Sequence, residues 1–452
     1  MQYLYSMNDK TTLIDAVLKN MGIELLNEMQ QTTLAAYANQ NDILLLSPTG
    51  SGKTLAFLLP LYANMKPEIS GVQALIIAPT RELVQQIEQV WRSMGTGFRV
   101  LSCYGGRPSN SEKHELAKAP ALLIGTPGRL QDHVERENFA TESIRALVLD
   151  EFDKSLEMGF TEPMEGIISR ITQLEKRILT SATESVGIPA FTGVRNPAKL
   201  NFSLSNNTAA RLKTYVLTAK DNDKYDLVFR LLCYLGTVSS LVFCNQRDEV
   251  EKLSAYLTGR KMANEFFHGK LEQSDREKAL SKFRNGSCCV FISTDLASRG
   301  LDIPEIKNVI HFDIPVRLDE YIHRNGRTAR MEAEGSAYSL LTANTTLPGY
   351  ITPAPTPFQL PKQIPAPPVS EWTTIYIGKG KKDNLSKMDV VGFLFKKGLL
   401  EREDLGLVEV KDYFSYVAVK VNKLKSLLKN IENQKIKNMK VRIEEASGSI
   451  RF

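Results

Sequence analysis

The chain is short of cysteine, tryptophan and histidine: its 452 residues include 5 Cys, 2 Trp and 5 His. The cysteines, at 103, 233, 244, 288 and 289, are odd in number and form no Cys-x-x-Cys pair. A disulfide framework and a structural metal site are therefore not expected, and a reducing, cytoplasmic setting is. No apolar run approaches the ~18 residues of a membrane helix, so no membrane association is expected. The start, Met1-Gln-Tyr-Leu-Tyr-Ser-Met-Asn-Asp9, has no basic region followed by an apolar stretch, and a secretory leader is not expected. Hydrophobic residues are 42% and charged residues 24%, which excludes wholesale disorder and a coiled coil.

What charge there is lies unevenly. The net charge is +6. Residues 373–452 carry 17 Lys and Arg against 10 acids, a net +7, and residues 1–372 are close to neutral. A basic terminal segment most often meets a polyanion, usually nucleic acid.

Proline marks one boundary. Eight of the 20 prolines fall between Pro348 and Pro368. Such a stretch cannot be a helix or a central strand, so an extended, semi-rigid linker is expected. Ahead of it, short apolar runs alternate with amphipathic stretches. Ile43–Leu46, Ala74–Ala78, Leu122–Ile124, Ala146–Leu149 and Arg177–Thr180 read as buried strands, with helical periodicity over Glu82–Met94. The pattern restarts with strands at Ser240–Cys244, Val290–Ser293, Asn308–Phe312 and Ala337–Leu341, and helices at Arg247–Leu257 and Gln273–Phe283. The fold class is thus α/β: two tandem parallel-sheet domains, 1–205 and 206–345, a linker at 346–371, and a small α+β domain at 372–452.

The sharpest motif is Ser47-Pro-Thr-Gly-Ser-Gly-Lys-Thr54, between a buried strand and an apolar helix. Such a loop cradles phosphates. Thr49, Gly50, Ser51 and Gly52 bring backbone N–H groups to the oxygens, and the helix N-terminus adds its dipole. Lys53 would reach the β- and γ-phosphates, and Thr54 would hold Mg²⁺. The strict pattern has Gly where Ser47 stands. Asp150-Glu151 follows the later strand Ala146–Leu149, which puts two acids at the carboxyl edge of the sheet beside the loop. Asp150 would bind Mg²⁺ through water, and Glu151 would orient or deprotonate the attacking water. ATP and Mg²⁺ are the expected cofactors.

With these residues in place, residues 5–345 resemble the DEAD-box RNA helicases, whose two domains are RecA-like. Asp150-Glu-Phe-Asp153 stands for the name motif. Ala78-Pro-Thr-Arg-Glu-Leu83, Tyr104-Gly-Gly106, Thr126-Pro-Gly-Arg-Leu130, Ser181-Ala-Thr183, His268-Gly269, Gln273-Ser-Asp-Arg276, Ser293-Thr-Asp295, Ser298-Arg-Gly-Leu-Asp302 and His323-Arg-Asn-Gly-Arg-Thr-Ala-Arg330 follow in the family's order. The resemblance implies Arg327 and Arg330 as arginine fingers. It implies His323, Asp153, Ser181 and Thr183 as links between nucleotide state and RNA, and Gly300 and Asp302 at the nucleotide. RNA contacts are implied for Thr80, Arg81, Gly105, Gly106, Gly128, Arg129 and Thr294, all suited to reading the backbone without sequence. Adenine is implied to meet Gln30, with Gln31 as the adjacent competitor. Tyr5 stands where the stacking aromatic belongs, with ordinary core packing as its other assignment. Leu26-Asn-Glu-Met-Gln30 lacks the family's Pro and Thr, and Phe152, Asn325 and Ala329 replace the usual Ala, Ile and Gly.

The order strand, helix, paired strands, helix, strand in 374–445 reads as an RRM-like domain. Lys381-Lys-Asp383 and Phe414-Ser-Tyr-Val417 resemble the RNA-binding domain of DbpA/YxiN-type DEAD-box proteins. That resemblance implies tethering to large-subunit ribosomal RNA in pre-ribosomal particles. Candidate contacts are Lys381, Lys382, Lys437 and Lys440, and the linker leaves the tail mobile. The expected function is a monomeric ATP-dependent RNA helicase that melts short duplexes locally during ribosome assembly. Competing readings are a noncatalytic ATP-gated RNA clamp or scaffold and, less favoured, a DNA helicase.

Overall fold

A computed structural model of the chain describes residues 7–47, 50–106, 109–181, 187–202, 212–220, 223–295, 306–328 and 334–446, the backbone alone for 7–11 and 109–110. Tyr5, Thr49, Thr183, Gly300, Asp302, Ala329 and Arg330 lie outside the described residues. The chain divides into two compact units near residue 207.

The first unit is built on a parallel sheet of β1 (Asp42–Leu46), β2 (Ala74–Ile77), β3 (Val100–Cys103), β4 (Leu122–Gly125), β5 (Ala146–Leu149), β6 (Lys176–Ser181) and β7 (Ala198–Asn201), in the order β3-β4-β2-β5-β6-β1-β7. Side chains alternate across it. Ile43, Ile76, Ile124, Val148 and Ile178 enter one core layer. Leu44, Leu75, Leu123, Leu147 and Leu179 enter the other. Helices cover both faces, which is why central strands such as β2 (Ala74–Ile77) and β5 (Ala146–Leu149) are apolar at every position. The helix Arg81–Met94 shows how: Thr80 caps it by accepting from the Leu83 N–H at 3.2 Å. Its stripe Leu83, Val84, Ile87, Trp91 and Met94 is buried, and Gly95 ends it with φ +67°.

The second unit opens with another parallel sheet: β8 (Leu212–Thr218), β9 (Ser240–Phe243), β10 (Glu265–Phe267), β11 (Val290–Ser293), β12 (Asn308–His311), β13 (Gly335–Leu341) and β14 (Thr356–Pro357), in the order β10-β11-β9-β12-β13-β8-β14. The tail of the same unit is an antiparallel sheet of β15 (Trp372–Ile377), β16 (Leu405–Val410), β17 (Ser415–Lys420) and β20 (Ile443–Glu445), ordered β16-β17-β15-β20, with the hairpin β18 (Lys435–Ile436) and β19 (Met439–Lys440) beside it. Helices Lys387–Lys396 and Val421–Ile431 close over one face. This is the α/β architecture with a small α+β domain. None of the five cysteines is disulfide-bonded. Among the described residues no helix is long and apolar enough to cross a membrane.

The proline-rich stretch turns at Pro348–Ile351, is extended at Thr356–Pro357, and is held down there. Thr356–Pro357 pairs in parallel with Tyr215–Val216, and the Phe358 N–H donates to the Val216 carbonyl at 2.8 Å. Proline is tolerated there because β14 is an edge strand. Phe358 packs on Tyr215, Tyr234 and Tyr338, and Leu360 and Ile364 join the same core. Phe358→Ala should therefore destabilise the second unit by about 1–3 kcal/mol, given the ring's partial burial. The check is the urea midpoint of the full chain; a detached linker would leave it unmoved.

Candidate functional site

β1 delivers the chain to the phosphate loop, and β5 and β6 deliver the acids. The strand order puts β6 between β1 and β5, so one strand touches both halves of the site. The Ser47 N–H donates to the Ser181 carbonyl at 3.0 Å. On its other side, Thr180 donates its hydroxyl to Asp150 Oδ1 at 2.5 Å and accepts from the Glu151 N–H at 3.0 Å.

The loop is braced from within. Gly50 and Gly52 have φ +82° and +91°, a region open to glycine. A Cβ on Gly52 would also stand 2.7 Å from Gln30 Nε2. Ser47, where the strict pattern has Gly, is fully buried and donates to Ser51 Oγ at 2.5 Å. Lys53 Nζ, buried, donates to the Ser47 carbonyl at 2.7 Å. Gln30 closes a capping box with Asn27 and donates to the Gly52 carbonyl at 3.3 Å, while Asn27 donates to the Ser51 carbonyl at 3.1 Å. Gln31 instead donates to the Leu26 carbonyl at 2.8 Å. Of the two glutamines, Gln30 is the one that touches the loop.

The acids are crowded and dry. Asp150, Glu151 and Asp153 are 3%, 5% and 2% exposed. Burial, and then the charge of Glu151, pushes the Asp150 carboxyl up to about 6, against the pull of Lys53. Burial and Glu151 likewise raise Asp153 above the usual carboxylate range. Glu151 Oε2 and Asp153 Oδ1 are buried without hydrogen-bond partners. Glu151 also sits at φ +47°, ψ +50°, a strained conformation for a side chain with a Cβ. Unpaired buried acceptors and more negative than positive charge are what a divalent cation satisfies, so the residues present fit Mg²⁺. Phe152 finds its space in the core layer beneath the sheet, 2% exposed.

A polar ridge follows from β2, β3 and β4, which neighbour one another in the sheet. The Arg81 guanidinium lies over Gly105 and Gly106, where added Cβ atoms would meet it at 3.1 and 2.9 Å. Thr80 caps its helix, and Gly128 has open space over its backbone. Arg129 Nε donates to Glu112 Oε2 at 2.7 Å, and His133 Nε2 bonds the same oxygen at 2.8 Å. Glu112, buried, is thus the support of Arg129. It escaped the sequence reading because one Glu in a polar helix carries no pattern.

In the second unit His323 and Arg327 are buried near the end of the helix Leu318–Asn325. The dominant interaction is their neighbour Arg324, 1% exposed. It pairs with Asp295 at 2.7 and 2.6 Å, donates to the Asp313 carbonyl and to Asn245 Oδ1, and covers the Phe243 ring. Asn325 has a local reason: its Oδ1 bonds the Nε2 of buried His311 at 3.0 Å. Burial, then Arg324, lowers the His311 imidazole to about 3, so that ring is neutral. Thr294 is half-buried next to Ser293.

In the tail Lys381 and Lys382 are exposed on a tight turn whose N–H groups donate to the Lys411 and Asp412 carbonyls at 2.8 Å. A groove of about 580 Å³ lies beside them, lined by Lys381, Asn384, Ser386, Lys387 and two valines. Lys437 bonds the Asn384 carbonyl and Asp389, and Lys440 is exposed on β19. Phe414 is half-buried in a ring cluster with Tyr376 and Tyr416, outside the tail's own apolar core.

Three family models match the chain: DEAD/DEAH box helicase over residues 27–188, helicase conserved C-terminal domain over 223–332, and DbpA RNA binding domain over 374–445. The DEAD-box ATP-dependent RNA helicase CshA of Bacillus licheniformis is 35% identical over 72% of this chain and 68% of its own length. The ATP-dependent RNA helicase DbpA of Bacillus subtilis is 28% identical over 95% of this chain and 96% of its own. S. cerevisiae Dbp5 bound to RNA and ADP BeF3 superposes with TM-score 0.65 at 25% identity, covering 74% of this chain and 87% of its own.

Asp150 offers a test of the crowding. Its folded value lies above its unfolded one, so the wild type loses stability as pH rises from about 4 to 6. Asp150→Asn should therefore stabilise the metal-free protein by about 3 kcal/mol above pH 7 and by little near pH 4. Thermal melts across that range check it; a variant that destabilises at every pH refutes the crowding.

Proposed function

The chain belongs to the DEAD-box family of ATP-dependent RNA helicases, and from that premise we propose an enzyme that melts short duplexes locally, steered by its tail to structured ribosomal RNA. RNA-dependent ATP hydrolysis is the activity of the family; the target and the individual residue roles are the proposal.

Lys53 leaves the Ser47 carbonyl to bind the β- and γ-phosphates, which the loop's N–H groups cradle. Mg²⁺ would be held by Thr54 and, through water, Asp150, and when bound it neutralises charge on the phosphates. Glu151 orients the attacking water and accepts its proton; its orphaned Oε2 supports that role. Arg327 and Arg330 stabilise the charge that develops in transfer. Ser181 touches Asp153 by its hydroxyl and the phosphate loop by its carbonyl, which suits it to report nucleotide state.

Thr80, Arg81, Gly105, Gly106, Gly128 and Arg129 grip the RNA backbone in the first domain, and Thr294 in the second. The first 372 residues are near neutral, so their own grip is weak, and the +7 tail supplies the affinity. The large-subunit target is favoured by the full-length likeness to DbpA and by the lysine turn beside the groove. A cytoplasmic monomer acting in ribosome assembly completes the reading.

The observation that carries it is a set of buried, underneutralised acids beside a phosphate loop, in one chain with a basic RNA-binding tail. ATP turnover is measured with no RNA, with generic RNA and with ribosomal RNA. The wild type should prefer ribosomal RNA, and the double variant Lys381→Glu, Lys382→Glu should lose that preference while keeping turnover on generic RNA. Equal stimulation of the wild type by both RNAs would remove the ribosomal target. No turnover with any RNA would leave only an ATP-gated clamp.

A further inference from the structure

The polar ridge of the first domain leans on side chains outside its motifs. The helix Ser109–Leu116 is polar, yet it buries a carboxylate where an i, i+4 stripe calls for an apolar residue: Glu112 is 2% exposed and Leu116 3%. A charge taken out of water is stable only with donors around it. Glu112 has three. Arg129 Nε donates to Oε2 at 2.7 Å, and His133 Nε2 lies 2.8 Å from the same oxygen. The Tyr104 N–H adds a weaker bond to Oε1 at 3.4 Å. Asn138 Nδ2 stands 2.9 Å from His133 Nδ1. With that amide donating, Nδ1 accepts and the ring proton sits on Nε2, facing Glu112.

The donors come from separate elements. Tyr104 follows β3 and leads into Gly105-Gly106, while Arg129 and His133 are four apart on the helix Pro127–Glu135 that follows β4. The helix Arg81–Met94 joins from its own side. Gln85 Nε2 donates to the Tyr104 hydroxyl at 2.6 Å, one turn beyond the Arg81 whose guanidinium covers the two glycines. Three strand ends are thereby tied through two buried groups, Glu112 and Tyr104.

The pair of Glu112 with Arg129 is largely dry, which is where a charge-assisted bond counts for most. A guanidinium held at Nε has its plane set. It then has less freedom to lose when a phosphate arrives, and ordering done in advance appears as affinity. The sheet order separates this node from the chemistry. Its partners hang on β3 and β4, the acids follow β5, and β2 lies between.

We infer that Glu112 is a positioning residue for RNA: it fixes Arg129, and with it the turn into Gly105-Gly106, as a preformed backbone clamp. The inference rests on the assignment of those residues to RNA above. Glu112 itself touches neither RNA nor nucleotide, so its loss is felt in RNA affinity and not in hydrolysis.

The test uses the full chain. Affinity for a labelled single-stranded RNA is read by fluorescence anisotropy with ADP and beryllium fluoride, and ATP turnover is read at saturating ribosomal RNA. Glu112→Ala should weaken the single strand about tenfold, the size of one coupled pair, and leave turnover and KM for ATP within about twofold. Arg129→Ala should weaken RNA at least as much. The double variant should fall well short of the product of the two losses, because Glu112 acts through Arg129. Losses that multiply, unchanged affinity in Glu112→Ala, or turnover lost at saturating RNA overturns the inference. Unchanged affinity in Arg129→Ala defeats the RNA assignment of Arg129 and the inference with it; a loss there and none in Glu112→Ala defeats the inference alone. Thermal melts report folding. Where Glu112→Ala does not fold, Glu112→Asp, which keeps the charge and withdraws it by one methylene, carries the same cycle with the same expectations.

Discussion

Three carboxylates crowd the end of β5 with two buried lysines, Lys53 and Lys154, beside them, and the neighbouring strands are arranged around that cluster. Each is nearly dry, and burial together with the charge of Glu151 raises the carboxyls of Asp150 and Asp153. Such a cluster persists only because surrounding structure forces it. Thr180 of β6 fixes Asp150 and the Glu151 backbone, and Phe152 anchors the turn in the core below. The proposed function uses this imbalance: positive charge bound with the nucleotide would offset it. Glu151 carries backbone strain and a buried oxygen without a hydrogen-bond partner.

The second domain solves a different problem with the opposite charge. Arg324 is a buried cation there, and Asp295, Asn245 and a carbonyl satisfy it completely enough to fix the helix that carries His323 and leads to Arg327. Breaking one partner would leave a buried charge exposed to no water, so the network ties the second-domain motif residues into one piece. The tail adds to this stiffness. Polar bonds from Ser281 to Glu409 and from Asn285 to Thr374, with the edge strand β14, bind it to the same unit, and an extended proline stretch becomes part of a sheet.

The elements most legible in the sequence were those whose chemistry is local. Apolar runs such as Ile43–Leu46 and Ala146–Leu149 can only be buried strands, and a loop of alternating glycines ahead of Lys-Thr has one common use. Strands at or near a sheet edge were not legible. Ala198–Asn201 and Leu212–Thr218 are half exposed, so their alternating composition reads equally as loop. Val100–Cys103 carries Ser102 and Cys103 in place of β-branched residues and gave no run to notice. Supporting residues were hidden for a different reason. Glu112 under Arg129, and Asp295 under Arg324, gain meaning from contacts 17 and 29 residues apart in the chain. The docked tail was the largest omission: prolines forbid a helix, but whether an extended segment swings or lies along an edge depends on what it meets, here Tyr215 and Tyr338 under Phe358.

The most direct test of the account is turnover by Glu151→Gln, which keeps the size of the side chain and removes its charge. ATP affinity should hold or improve, because one source of crowding is gone. RNA-stimulated hydrolysis should fall by about 10²–10⁴-fold, the range for losing a general base. Wild-type turnover in the variant, or lost ATP binding with it, would contradict a site in which Glu151 acts on water rather than on the fold.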